Sequence, residues 1–296
     1  MRIPLESAET LAAIIDEGSL DGAARRLQLT PSAVSQRLAT LERRVGRVLL
    51  VRAKPARATE AGQAILRLAR QLRLLEHDAL AELGIGDGTV SIPLAVNADS
   101  LATWFLEPLA TLSRRLPVVF DLHRDDQDFT ADLLESGTVM AAVTSNQQPV
   151  SGCRVTPLGV LRYRALATPD YVARWLPEGV TPAGLAVAPR VDFDRRDDLQ
   201  SRWLIERGVD PAGVPRHFVP ASSDYARAVR LGLGWGLLPR FQSAQAVSAG
   251  DLVDLDQPAI DVGLFWQQWN LSSALLDQVG ELVVAHGRRV LDPALG

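Results

Sequence analysis

The sequence predicts two architectures in one chain: an all-α winged helix-turn-helix head with a long linker helix, then an α/β body. Three observations predict this. Two short amphipathic stretches meet at a tight break within residues 18–46. Apolar residues then recur at near-heptad spacing through 60–83. Beyond the glycine-rich punctuation at 84–88, short apolar runs alternate with helical ones, the pattern of strands and helices layered together.

Residues 5–17 form the first expected helix, with Leu5, Ala8, Leu11, Ala12 and Ile15 inward. Ser19 then opens a short helix carrying Ala23, Ala24 and Leu27 on one face, and the chain breaks at Gln28-Leu29. Thr30 caps a second helix, and Pro31 occupies its first turn, where a missing N–H is harmless. Val34, Leu38, Leu41 and Val45 follow at spacings of four, three and four, which marks one buried stripe. Ser32, Ser35, Gln36 and Arg37 fall largely off that stripe and face a partner. Such a helix pair can lay its second member in the DNA major groove; the plainer alternative is an αα-hairpin within a helical domain. Residues 48–59 read as two short arms around a tip with Lys54, Pro55 and Arg57. This suits a wing resting on the nucleic-acid backbone, or an ordinary exposed basic turn.

Charge supports the first reading. The net charge of −4 taken alone argues against a polyanion partner, but its distribution along the chain argues for one. Residues 1–58 hold ten basic and six acidic side chains, a balance of +4 against −8 for the remainder. A basic head on an acidic body is expected if only the head meets phosphate.

The stripe Ala61, Ile65, Leu68, Leu72, Leu75, Ala79 and Leu83 lies between a small domain and a large one. It wants a partner: the same helix of a second subunit, or its own chain. In the body, strands are expected at 90–98, 118–122, 139–144, 163–168, 186–193, 217–222, 236–239 and 252–255. Helices are expected at 100–115, 129–136, 199–207, 225–231 and 271–290. Repeated alternation of this kind points to parallel sheets. No apolar run reaches the ~18–20 residues that span a bilayer, and the N-terminus lacks a secretory pattern, so the expected compartment is the cytoplasm and no membrane partner is expected.

Several chemistries are excluded. The single cysteine, Cys153, forms no internal disulfide or cysteine-based zinc cluster, and the four histidines show no metal spacing. The run Gly232-Leu233-Gly234-Trp235-Gly236 lacks the third glycine of a dinucleotide loop and precedes a strand, so it reads as a tight turn. No nucleophile elbow or phosphate-binding loop occurs, so no catalytic residue is expected. A ligand site is better indicated. The strand at 90–98 runs into Asn97-Ala98-Asp99-Ser100-Leu101-Ala102-Thr103-Trp104, where a helix N-terminus and the hydroxyls of Ser100 and Thr103 suit a carboxylate; simple capping by Asp99 or Ser100 is the alternative.

The head resembles the LysR-type transcriptional regulators through Gly18-Ser19, Ala23-Ala24-x-x-Leu27, Thr30-Pro31-Ser32-Ala33-Val34-Ser35, Leu41-Glu42, Gly46-x-x-Leu49-x-x-Arg52 and Thr59-x-Ala61-Gly62. The resemblance implies a winged helix-turn-helix DNA-binding domain at 1–59, a linker and dimerisation helix at 60–83, and an effector-binding domain at 89–296. That domain would have two periplasmic-binding-protein-like lobes, about 89–161 with 266–296, and about 162–265. The string from Asn97 to Trp104, together with Val51-Arg52-x-Lys54-Pro55, Arg230-x-Gly232-x-Gly234-Trp235-Gly236-Leu237-Leu238-Pro239 and Phe265-Trp266-Gln267-Gln268-Trp269, resembles the branch controlling basic amino-acid export, the LysG/ArgP type. It implies lysine, arginine or histidine as effector, with no cofactor, and activation of an exporter gene. The implied partners are a double-stranded operator, a second copy through the linker helix, and a dimer of dimers; RNA polymerase is admitted as a further partner.

On this reading Ser32, Ser35, Gln36 and Arg37 approach base edges, and Arg52, Lys54 and Arg57 hold phosphates. In the body, Asn97, Asp99, Ser100 and Thr103 form the anion site. Asp125, Asp126 and Asp192 lie at strand ends, where ligands of open α/β sheets bind, and suit a cationic side chain. Ser222 and Ser223 make a second hydroxyl-rich corner, Thr144 ends the strand at 139–144, and Trp104, Phe193 and Trp266 either wall an aliphatic stem or fill core. Two readings remain beside this one: a regulator of the same type with another small effector, and an architectural DNA-binding protein without any. A solute-binding protein would have no use for the basic head.

Overall fold

A computed structural model of the chain describes residues 3–85, 88–124, 130–255 and 258–293. They fall into two compact units. One holds the chain through Val96, Pro108–Thr156 and Trp266–Val284; the other holds Asn97–Glu107, Pro157–Phe265 and the chain from Ala285 onward.

In the first unit, α1 (Leu5–Asp16), α2 (Leu20–Arg26) and α3 (Pro31–Val45) pack around Ala8, Leu11, Ile14, Ala23, Ala24, Val34, Leu38 and Leu41. The expected caps form. Ser19 Oγ accepts from Gly22 N at 3.1 Å and Thr30 Oγ1 from Ala33 N at 3.2 Å, and α3 ends at Gly46 in the left-handed region (φ 74°). Helix α1 buries Ala13 and Ile14 and leaves Ile15 half-buried, because it is covered by α4 as well as by α2 and α3. The strands β1 (Leu50–Val51) and β2 (Arg57–Ala58) pair antiparallel, Leu50 opposite Ala58, and make the wing.

Helix α4 (Glu60–Glu82) starts where Thr59 Oγ1 accepts from Gly62 N at 3.1 Å. Gly62 is required by close approach, since a Cβ there would run into the Leu49 carbonyl oxygen. The apolar stripe divides along this helix. Ile65, with Leu66, Ala69 and Leu74, packs on the same chain; Leu68 and Leu72 are half-buried, and Leu75, Ala79 and Leu83 are exposed. The rest of the unit is built on β3 (Val90–Val96), which lies parallel to β4 (Val118–Arg124) on one side and β5 (Ala141–Thr144) on the other. Helices α6 (Leu106–Arg115), α7 (Thr130–Glu135) and α13 (Ala274–Val290) accompany them.

The second unit begins with α5 (Ala98–Thr103). The strand β6 (Cys153–Ala167) enters it and pairs antiparallel with β9 (Gly236–Pro239) and β10 (Val253–Asp254), while β7 (Arg190–Asp192) and β8 (Arg216–Phe218) pair in parallel. Helices α8 (Pro169–Trp175), α9 (Pro182–Val187), α10 (Leu199–Ile205), α11 (Ser222–Arg230) and α12 (Arg240–Ala249) complete it. Strands β6 and β11 (Ile260–Trp269) each start in one unit and end in the other.

Several sequence expectations are corrected. The body's sheets are mixed rather than parallel throughout, because β6 meets β9 and β10 antiparallel. The single helix expected at 100–115 is two, α5 and α6. Trp104 and Phe105 lie at the break between them, both fully buried, their rings edge to face at 5.7 Å. The strand expected at 186–193 is shorter, β7 at Arg190–Asp192, and Ala186 and Val187 instead end helix α9. Thr181 Oγ1 caps it from Gly184 N at 3.1 Å and Pro182 opens it, the same Thr-Pro signal that marks α3. Helix α11 starts at Ser222, where the sequence predicts a strand end. Asn97–Glu107 and the chain from Ala285 group with 157–265 in the second unit. The cause is local: Val160 and Asp292 exchange backbone hydrogen bonds of 2.7 and 3.1 Å, and His286 stacks on Trp104 at 6.3 Å.

Candidate nucleic-acid interface and effector site

The buried stripe of α3 fixes which side chains remain outside. Ser32 and Gln36 are exposed and Ser35 and Arg37 half-exposed. Ser32 Oγ lies 2.9 Å from Thr30 Oγ1, and Arg37 Nη2 lies 3.4 Å from Glu6 Oε2 on α1. Arg52, Lys54 and Arg57 are exposed on the wing, which is tied to the helical core by Ala56 N donating to Gly18 O at 2.8 Å. Glu42 Oε1 accepts from Leu49 N at 2.8 Å and so anchors the wing's first arm on α3. A helix with a polar outer face beside a cationic hairpin is a surface for a polyanion with an open groove.

The second unit gathers polar groups around α5. Asn97 Oδ1 caps this helix, accepting from Ser100 N at 2.8 Å; neither Asp99 nor Ser100 does so. Asp99 is held from two sides: Tyr163 OH donates to Oδ2 at 2.6 Å and Ser222 Oγ to Oδ1 at 2.6 Å. Gln242 Nε2 donates to Ser222 Oγ at 2.8 Å. Burial, and then the Asp99 carboxylate, push the Tyr163 hydroxyl well above its ordinary pKa, so it stays a donor. Asp197 accepts from Phe193 N at 3.2 Å and Leu199 N at 3.1 Å; burial raises its pKa and the nearby Asp99 adds to this. Two donors are left over. Asn97 Nδ2 and Ser100 Oγ are buried, at 3% and 0% exposure, and have no hydrogen-bond partner among the described residues. Capping by Oδ1 fixes the Asn97 amide so that its Nδ2 is the spare end. Buried donors without partners are costly unless something else supplies an acceptor.

The remaining candidate residues are placed differently. Thr103 donates to the Asp99 carbonyl at 2.6 Å, an intrahelical bond. Asp192 is 1% exposed beside Arg190 (3.0 Å) and Arg216 (3.9 Å), and burial pushes its carboxyl up to about 6. Phe193 packs against the cluster of Leu166, Val191, Tyr225 and Val229. Ser223 is exposed. Trp104 is core, and so is Trp266, whose Nε1 donates to Gln268 Oε1 at 2.7 Å. Thr144 is buried in the first unit, its Oγ1 accepting from Asn146 N at 3.1 Å. Asp125 and Asp126 lie outside the described residues. Sequence reasoning misses Tyr163, Asp197 and Gln242. Only Tyr163 carries a signal, a phenol within an apolar strand that needs a partner when buried. Among the described residues no group of His, Cys, Asp and Glu is arranged to hold a metal, and no helix is long and apolar enough to cross a membrane.

A helical reading head beside a cationic wing, followed by an α/β body, is the build of a DNA-binding regulator. Residues 5–63 match the family model of bacterial regulatory helix-turn-helix proteins of the lysR family, and 88–288 match the LysR substrate binding domain. The chain belongs to the LysR family of transcriptional regulators. Within it, the chain falls in the LysG/ArgP branch. It is 40% identical over 277 residues to the lysine export transcriptional regulatory protein LysG of Corynebacterium glutamicum, covering 93% of this chain and 95% of that protein. The crystal structure of ArgP from Mycobacterium tuberculosis is 43% identical and superposes with a TM-score of 0.84, covering 97% of this chain and 98% of that one. Full-length LysG of C. glutamicum with bound effector Arg is 38% identical with a TM-score of 0.78, covering 98% and 100%.

Proposed function

We propose that this regulator senses a basic amino acid at the α5 corner and, as a dimer paired through the exposed stripe of α4, activates an amino-acid exporter gene. The unpartnered donors beside Asp99 carry the reading. Asn97 Nδ2 and Ser100 Oγ offer hydrogen bonds to the effector's carboxylate, while Asp99 and Asp197 supply negative charge for its ammonium or guanidinium groups. A zwitterion with an extra cation matches that distribution. The arginine bound to the Corynebacterium structure and that relative's description as a lysine export regulator support the effector class and the target. Ser32, Ser35, Gln36 and Arg37 read base edges, Arg52, Lys54 and Arg57 neutralise phosphates, and pairing supplies two reading helices for two half-sites. Activation then works through RNA polymerase at the exporter promoter. The effector shifts the regulator only by binding one arrangement of the body better than another.

Calorimetry tests the effector. Arginine, lysine and histidine are compared with citrulline, which keeps arginine's shape and loses its charge. Arginine or lysine should bind at least tenfold tighter than citrulline. Equal affinity rejects the acidic corner, and no binding by any of them returns the protein to the readings of another effector or none.

A further inference from the structure

A buried guanidinium in the first unit is used by neither the DNA surface nor the α5 corner. Arg70, on α4, is 7% exposed. Its Nη2 donates to Asp16 Oδ1 at 2.6 Å, and its Nη1 donates to the carbonyl oxygens of Gly137 and Thr138. Asp16 is the last residue of α1, and its other oxygen pairs with Arg26 at 2.9 Å, the last residue of α2. The carbonyls belong to the turn after α7, where Arg67 of the same helix also donates to Glu135 O. A cation at the carbonyl end of a helix is favourably placed. Further along α4, Asp78 Oδ1 accepts from Leu275 N at 3.4 Å, an anion at the start of α13. Arg70 and Asp78 therefore each meet the helix end of opposite sign.

We propose that Arg70 is the joint through which the body sets the position of the reading head. Gly137 and Thr138 stand just before β5, which pairs in parallel with β3, Leu94 opposite Ala141, and β3 runs straight into Asn97, the cap of α5; this step rests on the effector reading above. On the other side, Asp16 leads into Gly18-Ser19 and the cap of α2. The joint is polar where a permanent attachment would be apolar: beside it runs a cleft of about 430 Å³ lined by Glu9, Asp16, Arg26, Arg70, Arg73 and Asp121 among others. Hydrogen bonds beside a wettable cleft can be exchanged for bonds to water at modest cost, so the joint can be engaged or released.

The test uses the full-length protein with Arg70→Met, Asp16→Asn and Arg70→Lys. In effector-free amide hydrogen exchange, Arg70→Met should speed exchange at Val139, Met140, Glu17 and Gly18 at least tenfold while α3 keeps its protection. Asp16→Asn should loosen the head side alone, and Arg70→Lys, which keeps the charge, should fall between. Operator affinity is then measured with and without arginine. The wild type should respond, and Arg70→Met should bind arginine within about twofold of wild type while its operator response vanishes. Unchanged exchange overturns the joint, and an intact arginine response in Arg70→Met overturns its coupling role. If the wild type binds no arginine, the effector reading fails instead, and the exchange data alone decide the joint.

Discussion

The reading head and the α5 corner solve opposite problems. In the head, the side chains proposed to meet DNA are exposed and their support is apolar: Ser32 and Gln36 stand out because Val34, Leu38 and Leu41 are buried beneath them. In the corner, the groups proposed to meet the effector are themselves buried, and they are supported by other polar groups, Tyr163, Ser222 and Gln242. An exposed site tolerates unmade hydrogen bonds because water completes them; a buried one is left with donors such as Asn97 Nδ2. The first kind of site should therefore fail through loss of packing and the second through loss of single polar atoms.

The largest expected effect separates the two. Leu38 is 2% exposed in the head core, and Leu38→Ala should destabilise the head by about 2–5 kcal/mol. Operator binding in gel shifts should collapse while calorimetric arginine binding persists. A parallel loss of arginine binding would show that the two sites do not fold separately. Next is Asn97→Asp, which keeps the capping oxygen and replaces the spare donor by a negative atom. Loss of one charge-assisted hydrogen bond, worth ~1.5–3 kcal/mol, should weaken arginine binding roughly 10–100-fold with little change in melting temperature. Unaltered affinity would mean that Asn97 Nδ2 does not meet the effector.

A third prediction concerns pH. The Asp192 carboxyl is pushed up to about 6 by burial, from an ordinary value of 3.8. A carboxyl raised in the folded state binds its proton more tightly there than in the unfolded chain. Its contribution is therefore fully present below about pH 4 and is lost as pH rises through about 6. The loss should be on the order of 1–3 kcal/mol. Chemical denaturation of wild type and Asp192→Asn between pH 4.5 and 7 checks it: the wild type should lose stability relative to the variant across that window, and parallel curves would assign the slope elsewhere.

The same contrast explains what is legible in the sequence. Helix α3 can be read closely because its signals are local: Thr30-Pro31 starts it, the spacing from Val34 to Leu41 orients it, and Gly46 ends it. The corner is legible only where it, too, is local, from Asn97 to Ser100. Tyr163 and Ser222 reach Asp99 from 64 and 123 residues away in sequence, and no periodicity announces such a meeting. Helix α9 escapes sequence reading although Thr181-Pro182 repeats the start signal of α3, because the apolar run of Ala186, Val187 and Ala188 outweighs it. The stripe of α4 mixes two faces that spacing alone does not distinguish, one packed on its own chain and one exposed.

The smallest effects should come from the wing, and they sharpen the comparison by being uniform. Arg52, Lys54 and Arg57 are exposed and lie on or beside the β1–β2 hairpin, outside the α3 stripe. Side chains that only neutralise phosphate weaken binding equally on every sequence. For each phosphate contact removed, the slope of log affinity against log salt falls by about 0.9. Arg52→Ala, Lys54→Ala and Arg57→Ala should each lower operator affinity modestly, lower random-DNA affinity by the same factor, and flatten the salt dependence by about one unit. Gln36→Ala should do the reverse: the operator-to-random ratio falls and the salt slope stays. If a wing variant changes the ratio as much as Gln36→Ala does, the wing reads sequence, and the division between a reading helix and a clamping hairpin does not hold.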